Sequence, residues 1–312
     1  MRVHLTMSMR GALPMGRVQS GFSLVELMVS LTIGLIVSLA VMMGYLGAAQ
    51  AQRGQTDITR IQETARFAFD LYGRETRNAA FRNNTVAASG GAQSFGTNTG
   101  TNTFLAGTND GTSSTTLPDT STVAVINSGD VITFRYFGMD STTAGTADGT
   151  ILNCTGTGVI YGQLNEDTLY IARDTTNTVF DSNGEPTLYC ASRQMTGGAW
   201  GATTTIPLIP GVESMQVLYG EDTDSDSIVN HYVPAGSIST ADFSLVRSLM
   251  VSIAVRSPSA SGFTTAAVLN HFGQDYANGT APSGDAGSIF TSPADGRLRR
   301  VYNTTFAVRN VL

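Results

Sequence analysis

The sequence predicts an α+β protein: one long N-terminal helix, with a membrane-spanning half and an amphipathic half, packed on an antiparallel β-sheet body. Three observations predict it. An uncharged run from Leu27 to Ala49 continues without a break into residues of helical periodicity. Short β-type runs then recur to the C-terminus, separated by clusters of Gly, Asp, Ser and Thr. Finally, 34 glycines against 9 prolines in 312 residues suit a β-rich, loop-rich body better than a helical bundle.

The first 21 residues contain Arg2, Arg10 and Arg17 and no acid. The apolar run that follows has the length of a bilayer crossing, about 20 residues in a helix. A secretory signal would carry an apolar stretch of roughly 7–15 residues ending at small residues, so this run is an anchor rather than a disposable leader. The arginines ahead of it keep the N-terminus cytoplasmic and send the body across the membrane. Glu26, at the start of the apolar run, fits a plain anchor poorly, because a carboxylate in hydrocarbon is unfavourable by about 3 kcal/mol. It is either an interfacial residue reaching the head groups or a carboxylate awaiting a positive partner.

Helix is expected to continue to about residue 82, with Asn83 and Asn84 as its stop. Ile58, Ile61, Ala65, Ala68 and Tyr72 recur at steps of three and four, with Arg60, Glu63, Arg66 and Arg74 on other faces. Phe67, Phe69 and Leu71 broaden the apolar surface, which is expected to lie on the chain's own sheet. The segment 85–121 is Gly, Thr, Ser, Asn and Ala with few large apolar residues, a composition that suits a long surface excursion or a partly disordered loop. Strands are expected at Thr122–Ile126, Asp130–Phe137, Thr168–Ala172, Thr187–Ala191, Glu213–Tyr219, Ser248–Arg256 and Arg300–Val308. Val131, Thr133 and Arg135 against Ile132, Phe134 and Tyr136 show the alternation of a half-buried strand. The predicted organisation is a leader over 1–21, a helix over 22–82 crossing the membrane at about 27–49, and a β-rich body over 83–312.

Composition excludes several functions. The balance of 18 basic against 24 acidic residues, net −6, argues against direct nucleic-acid binding. There is no lysine, which excludes Schiff-base and P-loop chemistry, and three histidines are too few for a histidine-rich metal centre. Charged residues are 13%, about half the usual share, so this is not a charge-driven disordered chain. No GxSxG, HExxH or paired-carboxylate signature stands out, and no catalytic residue is assigned. Cys154 and Cys190 are the only cysteines, in the part expected to leave the cytoplasm, so a disulfide is favoured over two separate buried thiols. Asp222, Asp224 and Asp226 alternate as the first ligands of a calcium loop do. The sixth position is Ser227 rather than glycine and the twelfth is Val233 rather than glutamate. These departures favour an acidic solvated turn, with calcium the alternative; no cofactor is required. His231 and His271 read as ordinary polar residues.

The hexapeptide Gly21-Phe22-Ser23-Leu24-Val25-Glu26, behind a basic leader and ahead of an uncharged helix, resembles the class III signal of type IV prepilins and type II secretion pseudopilins. The resemblance implies a type IV pilin-like fold. It also implies cleavage between Gly21 and Phe22 by a membrane-embedded prepilin peptidase, which then methylates the Phe22 amine. Glu26 matches the family glutamate, whose implied role is to pair with the N-terminal amine of a neighbouring subunit during assembly. Such a pairing has physical sense, since opposite charges attract strongly in low dielectric and either alone is unfavourable there.

Beyond the N-terminus, GDVITFRYFG at Gly129–Gly138, PGVESMQVLYGEDTDSD at Pro210–Asp226 and RLRRVYNTTFAVRNVL at Arg297–Leu312 resemble the PilW type of minor pilin. That resemblance implies a single-pass bacterial inner-membrane protein with a periplasmic body. Its implied partners are other minor pilins, the major pilin and the inner-membrane assembly platform. Its implied role is low-copy priming of the type IV pilus, near the tip, with effects on twitching, adhesion or DNA uptake. The alternative is a J-type pseudopilin capping a type II secretion pseudopilus. A third reading, from another class, is a membrane-tethered envelope enzyme or receptor without processing at Gly21.

Overall fold

In the computed structural model, α1 spans Leu24–Asn78 as one helix of 55 residues. The structure describes residues 21–83, 95, 103–112, 114–117, 122–141, 143, 145–239, 242–263, 266–279 and 284–310. The leader up to residue 20 and most of the 85–121 excursion lie outside the described residues. The chain divides between Gln52 and Arg53 into an N-terminal unit and a body. In the N-terminal unit the helix has a mean hydropathy of 2.3 over its best 18-residue window, long and apolar enough to cross a membrane. Its large side chains, from Leu24 to Leu46, are exposed.

The body includes the amphipathic half of α1. Ile61, Ala65, Ala68 and Tyr72 form a buried stripe at helical spacing. Ile58 and Phe67 face outward, 36% and 60% exposed, so the buried face is narrower than the sequence suggested. It continues instead through Gly73, Glu75 and Thr76. Gly73 stands where Phe306 comes close: a Cβ there would meet the ring at 3.3 Å. The helix also stops earlier than expected, at Asn78 rather than Asn83. Ala80 takes a left-handed φ of 62°, and the Asn310 side-chain amide donates to the carbonyls of Arg77 and Ala79 at 2.7 and 3.0 Å. Helix C-termini leave carbonyls unsatisfied, and here the cap comes from the far end of the chain, where no local signal could reveal it.

The strands in chain order are β1 (Leu105–Thr108), β2 (Thr115–Thr116), β3 (Thr122–Val123), β4 (Val131–Phe137), β5 (Leu164–Asp174), β6 (Glu185–Thr196) and β7 (Ala199–Trp200). After them come β8 (Thr204–Pro210), β9 (Val212–Glu221), β10 (His231–Pro234), β11 (Val246–Phe263), β12 (Val268–Asn270), β13 (Ile289–Thr291) and β14 (Gly296–Ala307). A short helix α2 (Gln274–Asn278) lies between β12 and β13. The first large sheet runs β1-β4-β5-β6-β7, with β8 also on β6; the second runs β10-β9-β11-β14. The pairings within both are antiparallel. Each expected run falls on a strand, although Thr122–Ile126 reaches only Val123.

β4 departs from its expected half-burial, since all seven of its residues are buried. Ile132, Phe134 and Tyr136 join the main core with Ala65, Ala68 and Tyr72 of α1. On the opposite face a smaller cluster forms from Leu117, Val125, Val131, Tyr170 and Ala191. The polar members of that face pair with one another. Arg135, Glu166 and Arg193 stand opposite one another on β4, β5 and β6, with both guanidinium Nε atoms 2.6 Å from Glu166 oxygens. Arg193 also stacks on Trp200, 4.2 Å from the ring centroid. Alternation of Thr and Arg marked a second buried layer rather than a wet face.

Candidate functional site: the processing signal and the polar clusters of the body

The Gly21–Phe22 peptide bond lies in non-helical backbone just ahead of α1, and Phe22 is 89% exposed. Glu26 does more here than await a partner. Its Oε2 accepts from the Ser23 N–H at 3.0 Å while Ser23 Oγ accepts from the Glu26 N–H at 3.1 Å. This is a capping box, in which residue N3 and the N-cap satisfy each other's orphan donors. Its Ser-x-x-Glu signature was present at Ser23–Glu26 and went unread behind the processing motif. The carboxylate is thereby held at the positive end of the helix dipole.

Cys154 and Cys190 are joined by a disulfide, with Cα atoms 6.2 Å apart across a sequence separation of 36. The bond anchors the segment before β5 to the centre of β6. Beside it Asp167 Oδ2 accepts from the Cys154 N–H at 2.7 Å and from the Tyr136 hydroxyl at 2.6 Å. Glu75 on α1 completes this cluster. Burial, and next to it Asp167, push its carboxyl well above the usual range.

The Asp222–Asp226 loop brings its carboxylates together, with one oxygen of each within 4.8 Å of the others. Asp222 is fully buried. Its two oxygens accept from the N–H groups of Asp226 at 3.1 Å and Ser227 at 3.0 Å, and Arg247 Nε lies 3.3 Å away. Asp226 Oδ1 accepts from the Ile228 N–H at 2.8 Å, and Asn230 Nδ2 donates to Asp224 at 3.3 Å. Ser225 and Ser227 supply the left-handed turns, at φ 64° and 70°. The loop is thus tied by its own backbone and by Arg247.

Two polar groupings were not anticipated. His271 lies between Ser252 and Ser214, with Nδ1 2.9 Å and Nε2 3.1 Å from their hydroxyls. Ser252 Oγ spends its proton on the His271 carbonyl at 3.0 Å, so Nδ1 is the donor to Ser252 and Nε2 accepts from Ser214. A Ser–His contact suggests a nucleophile and base, but Ser214 and Ser252 are 0% exposed and His271 1%, out of reach of any substrate. Burial pushes the imidazole down to about 3. The second grouping is Asp110, Asp130 and Asp285, again with one oxygen of each within 4.8 Å of the others. Burial first, then Asp285, pushes Asp130 well above the usual carboxylate range. Burial first, with Asp110 adding to it, pushes Asp285 up to about 6.

A methylation-type N-terminus, a long apolar helix continuing into an amphipathic half, and an antiparallel β body under that half together define the type IV pilin class. A sequence profile described as the prokaryotic N-terminal methylation motif matches residues 16–42, and one described as Type IV Pilus-assembly protein W (PilW) matches residues 168–310. Together the two matches support a type IV pilus minor pilin of the PilW type. The motif implies processing by prepilin peptidase and incorporation into a pilus with other pilins, and the apolar helix fits a membrane-anchored subunit. Pilins of this kind are structural rather than enzymatic. Among solved structures, the type IV-like pilin TTHA1219 from Thermus thermophilus is similar over 81% of this chain and 98% of its own, at 14% identity and a TM-score of 0.43. No curated protein matches the chain.

Proposed function

We propose that the chain is a low-copy subunit that primes assembly of the type IV pilus and stays near its tip. Cleavage between Gly21 and Phe22 releases an amine that is then methylated. The N-terminus lies in the cytoplasm, the helix crosses the inner membrane and the body is periplasmic, an oxidising setting that suits the Cys154–Cys190 bond. The observation that carries this reading is Glu26 at the head of a helix whose next 18-residue window is almost wholly apolar. A carboxylate there is costly in a membrane without a positive partner, and a neighbouring subunit's Phe22 amine is of the right sign. The match over residues 168–310 favours the pilus over a type II secretion pseudopilus.

N-terminal mass analysis of the membrane protein, with and without prepilin peptidase, tests the processing step. The expected result is a peptidase-dependent start at methylated Phe22, with Gly21→Val blocking it by crowding the scissile bond. An intact start, or a cut elsewhere, would refute it. Immunogold labelling of sheared pili tests the placement: label at one end supports the tip, and label along the shaft overturns it.

A further inference from the structure

Asp110 follows β1, Asp130 enters β4, and Asp285 precedes the 3-10 turn Ala286–Ser288; all three meet beside β9. Asp130 and Asp285 are each 1% exposed. Backbone and hydroxyl donors hold the carboxylates in place. Asp130 Oδ1 accepts from the Asp110 N–H at 3.0 Å and its Oδ2 from the Val217 N–H at 2.8 Å. Asp110 Oδ1 accepts from the Gly287 N–H at 2.6 Å and its Oδ2 from the Asn109 amide at 3.0 Å. Asp285 Oδ2 accepts from the Tyr276 hydroxyl at 2.8 Å. Among the described residues, the ion pairs of the body lie elsewhere and none reaches these three.

A second observation is independent of the acid count. Asp285 Oδ1, Gln216 Oε1 and Asn109 Oδ1 are buried oxygens without a hydrogen-bond partner, and Gln216 is 0% exposed. The Gln216 amide reaches the same spot as the carboxylates. A Cβ on Gly287 would lie 2.4 Å from Asp110 Oδ1 and 2.7 Å from Gln216 Nε2. Nε2 donates to the Ser128 carbonyl at 2.7 Å, which leaves Oε1 as the open acceptor. These three unmet atoms are all acceptors, and each carboxylate is already fixed by at least one donor from another segment. Buried negative charge without a counter-charge is strongly unfavourable. A group that satisfies it must be positive and must need lone pairs.

We propose that Asp110, Asp130 and Asp285, with the side-chain carbonyl of Gln216, bind a hard divalent cation of the calcium type. The donor set is carboxylate and amide oxygen throughout, the chemistry that selects calcium or magnesium over zinc or copper. Bound there, the ion ties the 284–288 turn to the β1–β4 end of the six-stranded sheet and to β9. Since the unfolded chain lacks this arrangement, binding stabilises the fold.

The test uses the full chain in detergent micelles, stripped with chelator and melted with and without millimolar calcium. Saturating calcium is expected to raise Tm by about 5 °C or more. Asp285→Asn should abolish the rise, while the Asp224→Asn/Asp226→Asn double variant should keep it. Terbium offers a readout at the site itself: excitation of Tyr276, bonded to Asp285, should sensitise its emission, and Tyr276→Phe should weaken that signal. If Asp285→Asn fails to fold, Asp110→Asn, at a half-buried position, takes its place. No calcium shift and no terbium signal in the wild-type chain would overturn the proposal. So would a shift lost in the loop variant but kept in Asp285→Asn. A wild-type chain that binds no calcium in equilibrium dialysis but gains the same Tm by acidification to pH 5 would show shared protons instead, and the cation would be discarded.

Discussion

Arg256 on β11 and Glu185 on β6 meet at 2.9 Å between Nη2 and Oε2, and so join the four-stranded sheet to the six-stranded one. Both side chains are 3% exposed. The guanidinium also reaches Asp181 at 3.0 Å and Glu213 at 3.7 Å, and Glu213 is in turn gripped by Arg299 at 2.5 Å. Arginine is the only strong cation this lysine-free chain has, and its planar fork can serve several carboxylates at once. The joint between the sheets is therefore ionic as well as apolar.

Removing one partner of such a buried network leaves an uncompensated charge, worth about 3–5 kcal/mol. Arg256→Met should destabilise the chain by that order, read as a lower urea midpoint in micelles. Adding Glu185→Gln should recover part of the loss by removing the stranded carboxylate. A single variant that loses less than about 1 kcal/mol, the scale of a surface pair, would show that the joint is apolar after all.

His271 makes the fold acid-sensitive. Its folded imidazole is pushed down to about 3 by burial, against an ordinary 6.5. Below pH 6.5 the unfolded chain takes up a proton that the folded chain refuses. The contribution is whole above that pH and falls as pH drops toward 3, by about 2 kcal/mol at pH 5. Asp285 acts with the opposite sign. Its folded carboxyl is raised to about 6, so the folded state gains as pH falls from 6 toward the unfolded value near 4. Total stability thus hides the histidine, and a difference exposes it. The gap between the wild-type chain and His271→Asn should narrow by about 2 kcal/mol between pH 7 and pH 5 in urea titrations. A gap independent of pH would mean that the imidazole is not held neutral.

What the sequence disclosed was local, and what it hid was assembled from distant segments. The anchor and the Ile61–Tyr72 stripe each lie within a few helical turns, so run length and spacing revealed them, and the processing motif was carried by the resemblance of six consecutive residues. β8 was not among the expected strands; it carries Pro207 and Pro210 and, among the described residues, pairs with β6 alone, and proline is tolerated in strands with an open edge. The two-sided burial of β4 was invisible because Arg135 finds its counter-charge, Glu166, 31 residues away on the next strand. Asp110 and Gly287 touch across 177 residues, and no motif spans such a distance. Likewise, the Asn310 cap on α1 required knowing where the C-terminus returns.

One pair of substitutions separates the observed capping role of Glu26 from its proposed pairing role. The capping box needs an acceptor at N3, and glutamine serves there nearly as well as glutamate. Pairing with a neighbour's Phe22 amine needs the negative charge. Glu26→Gln should therefore preserve the helix start and cleavage after Gly21, yet lower the amount recovered in sheared pili by about tenfold, the effect of losing roughly 1.4 kcal/mol of contact. Glu26→Ala removes both roles and should lower recovery at least as far. Immunoblots of pilus and membrane fractions, scaled to the mature membrane pool, give the ratio. Wild-type recovery of the glutamine variant alongside failure of alanine would assign Glu26 to the cap alone, and the charge required for assembly would have to be sought elsewhere on the helix.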